Sequence, residues 1–323
     1  MSEHTILITS KGTGPKAEYL DQLREHAQVV VGNLPGAFAD AAPEATVMLN
    51  WSAPRDLNRS VFLMAPKLAW VHSRNAGLDA FLFPELVESK VTLTNGSGVF
   101  SAPLGEFALA AMLYFAKDLP RMRRNQVAGK WEPFDVLRLA GQSVGIVGYG
   151  DIGKEVAWRA HAMGMRVLAL KRHLPAPGSD LGPVEKMYPT SELHAMIAAS
   201  DYVVVAAPLT AETRHMIGNA EFAAMKPDAV IINVGRGPVI DEAAMVQALV
   251  EGKIKGAGLD VFEHEPVPPE SPLYTMENVL FSPHCADNTP DWLDNAMKFF
   301  IAQYERFRTG EALLNVVDKK LGY

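Results

Sequence analysis

The chain is predicted to be α/β, with two doubly wound parallel-sheet domains, and three observations lead there. Short apolar runs alternate with helix-like stretches, the pattern of parallel strands buried on both faces by crossover helices. One run, Val144-Gly145-Ile146-Val147, feeds straight into Gly148-Tyr149-Gly150-Asp151-Ile152-Gly153 and a helical segment from Lys154 to Met163. The length of 323 residues, at roughly 150 per domain, makes room for two sheets, and 48% hydrophobic residues can fill their cores.

Taken in order, Ile6 to Thr9, Val29 to Val31, Thr46 to Leu49, Leu68 to Val71 and Val91 to Thr94 read as buried strands of a small first domain. Asn95-Gly96-Ser97-Gly98 interrupts the pattern, and residues 95 to 101 read as a hinge. Pro103 to Ala116 follows as a helix that is apolar on most faces, hence expected to be buried between domains or in an interface. After the glycine-rich turn come strands at Arg166 to Leu170, Tyr202 to Ala206, Val230 to Asn233, Gly258 to Val261 and Val279 to Ser282, separated by helical segments. That succession extends a single sheet in doubly wound order. Asp291 to Thr309 is an amphipathic helix; because the second sheet closes near Ser282, this helix is expected to cross back and complete the first domain. The expected division is 1–98 plus 287–323 for a substrate domain and 99–286 for a dinucleotide-binding domain.

The glycine-rich turn is where chemistry enters. Gly148 permits the tight turn from strand to helix, Gly150 lets a pyrophosphate approach the backbone, and Gly153 lets helix and strand pack closely. The unpaired N–H groups of the helix start face the phosphates. Dinucleotide sites for NAD usually carry an Asp or Glu about 20 residues on, at the end of the next strand, to hold the ribose 2′-hydroxyl. Here that strand ends Leu170-Lys171-Arg172-His173, with no carboxylate. Two cations attract a 2′-phosphate and offer a bare ribose no acceptor, so the residues predict NADP(H), with NAD as the possible lesser cofactor.

Composition excludes other classes. A net charge of −7 argues against nucleic-acid or anionic-membrane partners. The one basic run, Arg121-Met122-Arg123-Arg124, reads as a solvated or interface helix end. A lone cysteine, Cys285, rules out an intrachain disulfide and multi-cysteine zinc sites, so no metal is expected and a reducing, cytoplasmic setting is. The residues from Met1 into Ile6-Leu7-Ile8-Thr9 carry neither a basic start nor a long apolar run, so no signal, transit or membrane segment is expected.

Three polar residues follow strand ends, where open α/β sheets bind their ligands: Arg236 in Asn233-Val234-Gly235-Arg236-Gly237, Glu265 in Asp260-Val261-Phe262-Glu263-His264-Glu265-Pro266, and His284 in Pro283-His284-Cys285. With the glycine turn and Pro208-Leu209-Thr210, these segments stand in an order that resembles the D-isomer-specific 2-hydroxyacid dehydrogenases. The resemblance covers the cofactor domain fully and the first domain more loosely, through Asn75-Ala76-Gly77-Leu78-Asp79 and Gly105-Glu106. It implies a Rossmann cofactor domain inserted in a flavodoxin-like substrate domain, a small 2-oxo or 2-hydroxy acid substrate, and a homodimer. It further implies Arg236, Glu265 and His284 as the catalytic set. Gly148 to Gly153, Pro208, Val234, Gly235, Arg236, Asp260 and His284 would meet the cofactor, Asp260 through the nicotinamide carboxamide. Asn75, Ala76 and Gly77, with Arg236 and His284, would meet the substrate.

The chemistry wants these residue types. An arginine fork can bind the carboxylate of a 2-oxo acid and polarise its ketone. A histidine held as imidazolium by a carboxylate can protonate the oxygen as hydride arrives at carbon. The expected activity is an NADPH-preferring reduction of a glyoxylate- or hydroxypyruvate-type acid. A phosphoglycerate dehydrogenase-like enzyme and a dinucleotide-sensing scaffold of the corepressor kind are the alternatives. Trp51 and Arg74, on first-domain loops, are candidates for the far end of the substrate.

Overall fold

The computed structural model describes residues 4–176 and 178–323, so the first three residues of the leader reading lie outside it. It divides into two compact units, Met1–Phe100 with Asn288–Tyr323, and Ser101–Asp287.

The first unit begins with β1 (His4–Thr9), α1 (Ala17–Arg24), β2 (Ala27–Gly32), β3 (Val47–Asn50) and α2 (Arg55–Met64). It continues through β4 (Trp70–Ser73), α3 (Pro84–Glu88) and β5 (Thr92–Asn95). The strands pair in the order β2-β1-β3-β4-β5, all parallel. Alternation along each strand feeds two cores. Leu7, Met48, Val71 and Leu93 face one layer, while Ile6, Ile8, Val47, Leu49 and Trp70 face the other. The second layer is closed by the chain's last helix, Trp292–Thr309, whose Met297, Phe300 and Tyr304 are buried in it. The C-terminal helix thus packs into the core of the first unit.

The second unit runs α4 (Ser101–Ala116), α5 (Leu119–Val127), β6 (Ser143–Val147), α6 (Asp151–Ala162), β7 (Arg166–Leu170) and β8 (Lys186–Tyr188). Then come α7 (Leu193–Ala199), β9 (Tyr202–Val205), α8 (Asn219–Ala224), β10 (Val230–Asn233), α9 (Glu242–Val250), β11 (Gly256–Leu259) and β12 (Val279–Phe281); the C-terminal helix of the first unit is α10. Its seven strands order as β12-β11-β10-β9-β6-β7-β8 and are all parallel. Chain direction across the sheet reverses between β6 and β9, and that switch point is where such sheets open a ligand crevice. Val144, Ile146, Tyr202 and Val204 face a core shared with α4 and α6, and Val147, Val203 and Val205 face the opposite core.

Two details differ from the sequence reading. β8 is a three-residue edge strand that carries no apolar run to announce it. α4 has its apolar side covered within its own unit, chiefly by α6, β10 and β11. The exposed apolar residues come after it instead: Leu119, Met122, Val127, Val136, Leu137 and Trp131, the last 98% exposed. No helix among the described residues is long and apolar enough to cross a membrane.

Candidate active site

The glycine turn sits at the switch point, between the carboxyl end of β6 and the start of α6. Gly148 has φ +98, and a Cβ there would lie 2.7 Å from the Ala207 backbone, so no other residue fits without strain. A Cβ at Gly153 would meet the Gly148 carbonyl at 2.4 Å, whereas nothing lies within 4 Å of one at Gly150. The turn is therefore tight toward the protein and open on the side of its second glycine. Twelve-residue α6 adds its unpaired N-terminal amides, a set suited to a pyrophosphate. Of the motif's side chains, Tyr149 is buried with its hydroxyl donating to Leu181 O at 3.2 Å, Ile152 is half-buried, and Asp151 is exposed, its carboxylate 3.6 Å from Lys154.

At the end of β7 the two cations have different surroundings. Lys171 is half-buried and its N–H donates to Tyr188 O at 3.0 Å. Arg172 is exposed and already pairs with Glu212 Oε1 at 2.9 Å. Glu212 belongs to the turn that starts at Pro208, whose carbonyl accepts from Thr213 Oγ1 at 2.6 Å. That pairing is 40 residues distant in sequence and has no local signal.

Arg236, Glu265 and His284 follow the neighbouring strands β10, β11 and β12. Their loops are fastened by few, mostly buried groups. Buried Asn233 accepts from Gly235 N–H and donates to Arg236 O, both at 3.1 Å, while Val234 N–H donates to Val205 O at 3.0 Å. Gly237 lies flat on the Phe262–Glu263 peptide: a Cβ there would fall 1.8 Å from Phe262 C and O. Phe262 N–H donates to Glu265 Oε1 at 2.9 Å. Glu263 N–H donates to Glu242 Oε2 at 3.0 Å, and Glu263 Oε2 accepts from Glu242 N–H at 3.4 Å, a reciprocal clamp onto the start of α9. The backbone of Phe262 and Glu263 thus joins the loop of Arg236, the carboxylate of Glu265 and a helix start.

Asp260 fastens the third loop. It is 1% exposed, and its Oδ1 accepts from Ser282 Oγ at 2.7 Å and from the N–H groups of Cys285 and Ala286 at 3.0 Å each. Between those anchors His284 is held at φ +52, a left-handed conformation that costs a residue with a Cβ about 1–2 kcal/mol. Its Nδ1 lies 2.6 Å from Glu265 Oε2. His264, one residue before Glu265, is exposed, and Cys285 is exposed with Sγ 3.3 Å from Ser282 Oγ. Burial pushes the Asp287 carboxyl up, Asp260 adds to the rise, and His284 and Arg236 oppose it. The sequence reading passed over Asp287, although its place three residues after His284 is a signal that could have found it.

In the first unit, Asn75, Ala76 and Gly77 follow β4. Asn75 O accepts from Gly96 N–H at 3.2 Å and Ala76 O from Asn95 Nδ2 at 2.7 Å. These peptides are trans, so the N–H groups of Ala76 and Gly77 point away from residues 95 and 96.

A doubly wound sheet with this glycine turn at its switch point, and an Arg, a Glu and a His on the next strand ends, defines a nicotinamide-dependent oxidoreductase. Residues 109–286 match the model of the D-isomer specific 2-hydroxyacid dehydrogenase NAD binding domain. The chain is 35% identical over 276 residues to a glyoxylate reductase of Korarchaeum cryptofilum, covering 82% of this chain and 80% of that one. It is 30% identical over 315 residues to a D-3-phosphoglycerate dehydrogenase of Methanocaldococcus jannaschii, covering 97% of this chain but only 59% of that longer protein. A D-isomer specific 2-hydroxyacid dehydrogenase of Xanthobacter autotrophicus Py2, solved with NADPH and MES, superposes with a TM-score of 0.84 at 31% identity, covering 98% of this chain and 99% of that one. The protein belongs to the D-isomer specific 2-hydroxyacid dehydrogenase family.

Proposed function

We infer that the protein reduces a small 2-oxo acid of the glyoxylate or hydroxypyruvate type to its D-2-hydroxy acid, with NADPH preferred over NADH. The observation that carries this reading is the 2.6 Å contact between His284 Nδ1 and Glu265 Oε2. A carboxylate only accepts, so the shared proton belongs to Nδ1 and Nε2 is the nitrogen left for a substrate oxygen. The left-handed backbone of His284 supports it too, since such strain persists where neighbours over-determine it and function uses it.

NADPH, when bound, supplies the hydride. The chain's residues do the rest. Arg236 takes the substrate carboxylate and draws charge toward the ketone oxygen. As negative charge builds on that oxygen, His284 gives it the Nε2 proton, and Glu265 holds the ring and its charge. Asp260 Oδ1 already serves three donors, so Oδ2 is the oxygen assigned to the nicotinamide carboxamide. Val234, Gly235 and Pro208 line the cofactor, and Lys171 with Arg172 take the 2′-phosphate. The NADPH in the Xanthobacter relative supports this cofactor.

The exposed apolar run from Leu119 to Leu137 supports a homodimer formed through α5 and the segment after it. A monomer mass by light scattering at micromolar concentration would contradict that. The single cysteine supports a cytoplasmic setting.

The activity is tested by a panel of glyoxylate, hydroxypyruvate, pyruvate and phosphohydroxypyruvate with NADPH and with NADH, followed by absorbance. Turnover is expected for the first two, faster with NADPH. Turnover of phosphohydroxypyruvate alone would select the phosphoglycerate reading instead, and no turnover of any acid would leave the non-enzymatic scaffold.

A further inference from the structure

Two histidines of the second unit hold left-handed backbones, His284 and His215, both at φ +52, and each faces a glutamate of one short segment. His284 meets Glu265, and His215 Nε2 lies 2.8 Å from Glu263 Oε1. A carboxylate only accepts, so Nε2 of His215 carries the shared proton. The backbone around His215 is tied elsewhere. His215 N–H donates to Pro238 O at 2.8 Å, Ile217 N–H donates to Val239 O at 3.1 Å, and Asp241 N–H donates to Ile217 O at 2.9 Å. Residues 215–217 therefore run beside the segment that follows Arg236, while the His215 side chain reaches across to the segment that carries Glu265.

These contacts close a ring. Glu263 gives Oε1 to His215 and Oε2 to the Glu242 N–H at 3.4 Å, and its own N–H donates to Glu242 Oε2 at 3.0 Å, while residues 238–241 lead from Glu242 back to His215. Gly237 belongs to the same stretch and lies flat on the Phe262–Glu263 peptide, with no room for a Cβ. The preceding amide, Phe262 N–H, holds Glu265 Oε1 at 2.9 Å, and Glu265 Oε2 holds His284. A shift of residue 263 is thus passed to Glu265 through one residue of backbone. Stability alone does not account for the ring. The pair is partly exposed, at 42% for His215 and 22% for Glu263, where such pairs contribute little, and the left-handed backbone of His215 costs stability. Strain of this kind persists where function uses it.

We propose that Glu263, gripped by His215 and by the first amide of α9, is a positioning residue for the reaction. It fixes the backbone from which Glu265 takes its bearing, and so aims the His284 ring without itself touching substrate or cofactor. The inference rests on the 2-oxo acid reading above and deepens it with a second His–Glu pair that acts through the first. Positioning of this kind is felt in the rate more than in binding, because the ring has to be aimed only as the proton moves.

The test separates the side-chain bond at His215 from its backbone strain. Asparagine tolerates the left-handed region but is too short to reach Glu263, whereas glutamine places an N–H donor at the reach of Nε2 and leaves the strain in place. His215→Asn should keep the denaturation midpoint near wild type while kcat falls about tenfold and KM for the acid changes by less than about threefold, since Arg236 stays held by Asn233. His215→Gln should recover most of kcat. Glu263→Ala should lose at least as much as His215→Asn, and the two changes together no more than Glu263→Ala alone, because both remove one contact. Equal kcat in the Asn and Gln variants, or additive losses in the double variant, would overturn the proposal and leave the ring a structural tie. A second measurement needs no turnover: the ring-nitrogen resonances of histidine-labelled, NADPH-loaded protein, with those of His284 assigned by their loss in His284→Ala. They should shift in His215→Asn and return in His215→Gln. Unshifted His284 resonances would overturn the proposal even if the activity holds, while shifted ones without turnover of any 2-oxo acid would sustain the aiming of His284 by Glu263 and overturn the activity.

Discussion

Asp260 and Arg172 follow strands of the same sheet, and they are held in opposite ways. Asp260 is buried and gives one oxygen to three donors from the loop that carries His284. Arg172 is exposed and pairs with an exposed carboxylate, that of Glu212. A buried acceptor cannot be removed without stranding its partners, each at about 1–3 kcal/mol, whereas an exposed ion pair contributes about 0–1 kcal/mol. The difference teaches where this fold is rigid and where it is adjustable: the loop that follows β12 is over-determined, and the end of β7 is not.

The largest effect is expected at the over-determined end. His284→Ala should cut kcat by about 10²–10⁴ and leave NADPH binding close to wild type, because the residue is assigned to the substrate oxygen. Near-normal turnover would remove His284 from that role. Asp260→Ala sharpens the comparison by deleting the anchor and leaving the reacting group intact. It strands the N–H groups of Cys285 and Ala286, so both the denaturation midpoint and kcat should fall. Asp260→Asn, which keeps one oxygen acceptor, should recover much of the stability. An alanine variant with an unchanged midpoint would show that these bonds do not hold the loop.

Much of this architecture is legible in the sequence. Strands such as Val203 to Val205 and Ile231 to Asn233 are short apolar runs buried on both faces, and the glycine spacing marks the switch point because only glycine fits at 148 and 153. The neighbouring motifs also bring Glu265 and His284 into one hypothesis. What stays hidden is long-range polar pairing. Glu212 reaches Arg172 across 40 residues, Asp260 reaches the N–H of Cys285 across 25, and Trp292 meets Arg74 from the far end of the chain. None of these contacts has a periodicity, since each depends on where two loops end. β8 was hidden for a different reason: Lys-Met-Tyr on a sheet edge needs only one buried residue.

The first unit holds a buried polar group of its own, and it should make stability depend on pH. His72 lies in β4 with Nδ1 2.8 Å from Thr94 Oγ1, and burial pushes its pKa from 6.5 down to about 3. Between those values the unfolded chain binds a proton that the folded chain refuses. Stability is therefore complete above about pH 6.5 and declines as pH falls toward 3, by about 1.4 kcal/mol per pH unit from this group. Urea denaturation at pH 7.5 and 4.5 should show a loss that exceeds the loss in His72→Phe by about 2–3 kcal/mol. Equal losses in the two proteins would mean that His72 is protonated without cost.

The smallest and most adjustable effect belongs to the exposed end. Lys171 and Arg172 should favour NADPH over NADH, but Arg172 has to leave or share Glu212 to reach a phosphate, which lowers the expected discrimination to about tenfold. Three changes follow from that competition. Added salt should weaken the preference, because exposed charges are screened. Glu212→Gln should strengthen it a few-fold by releasing Arg172. Lys171→Asp combined with Arg172→Ala should reverse it, since the new carboxylate accepts the ribose hydroxyls and repels a phosphate. The measurement is the ratio of kcat/KM for the two cofactors in each protein. A wild type that prefers NADH, or a double variant with an unchanged ratio, would return both cations to the role of a solvated strand end. A Glu212→Gln ratio equal to wild type would mean that the ion pair gives way to the phosphate without opposition, and the contrast with Asp260 would then be wider still.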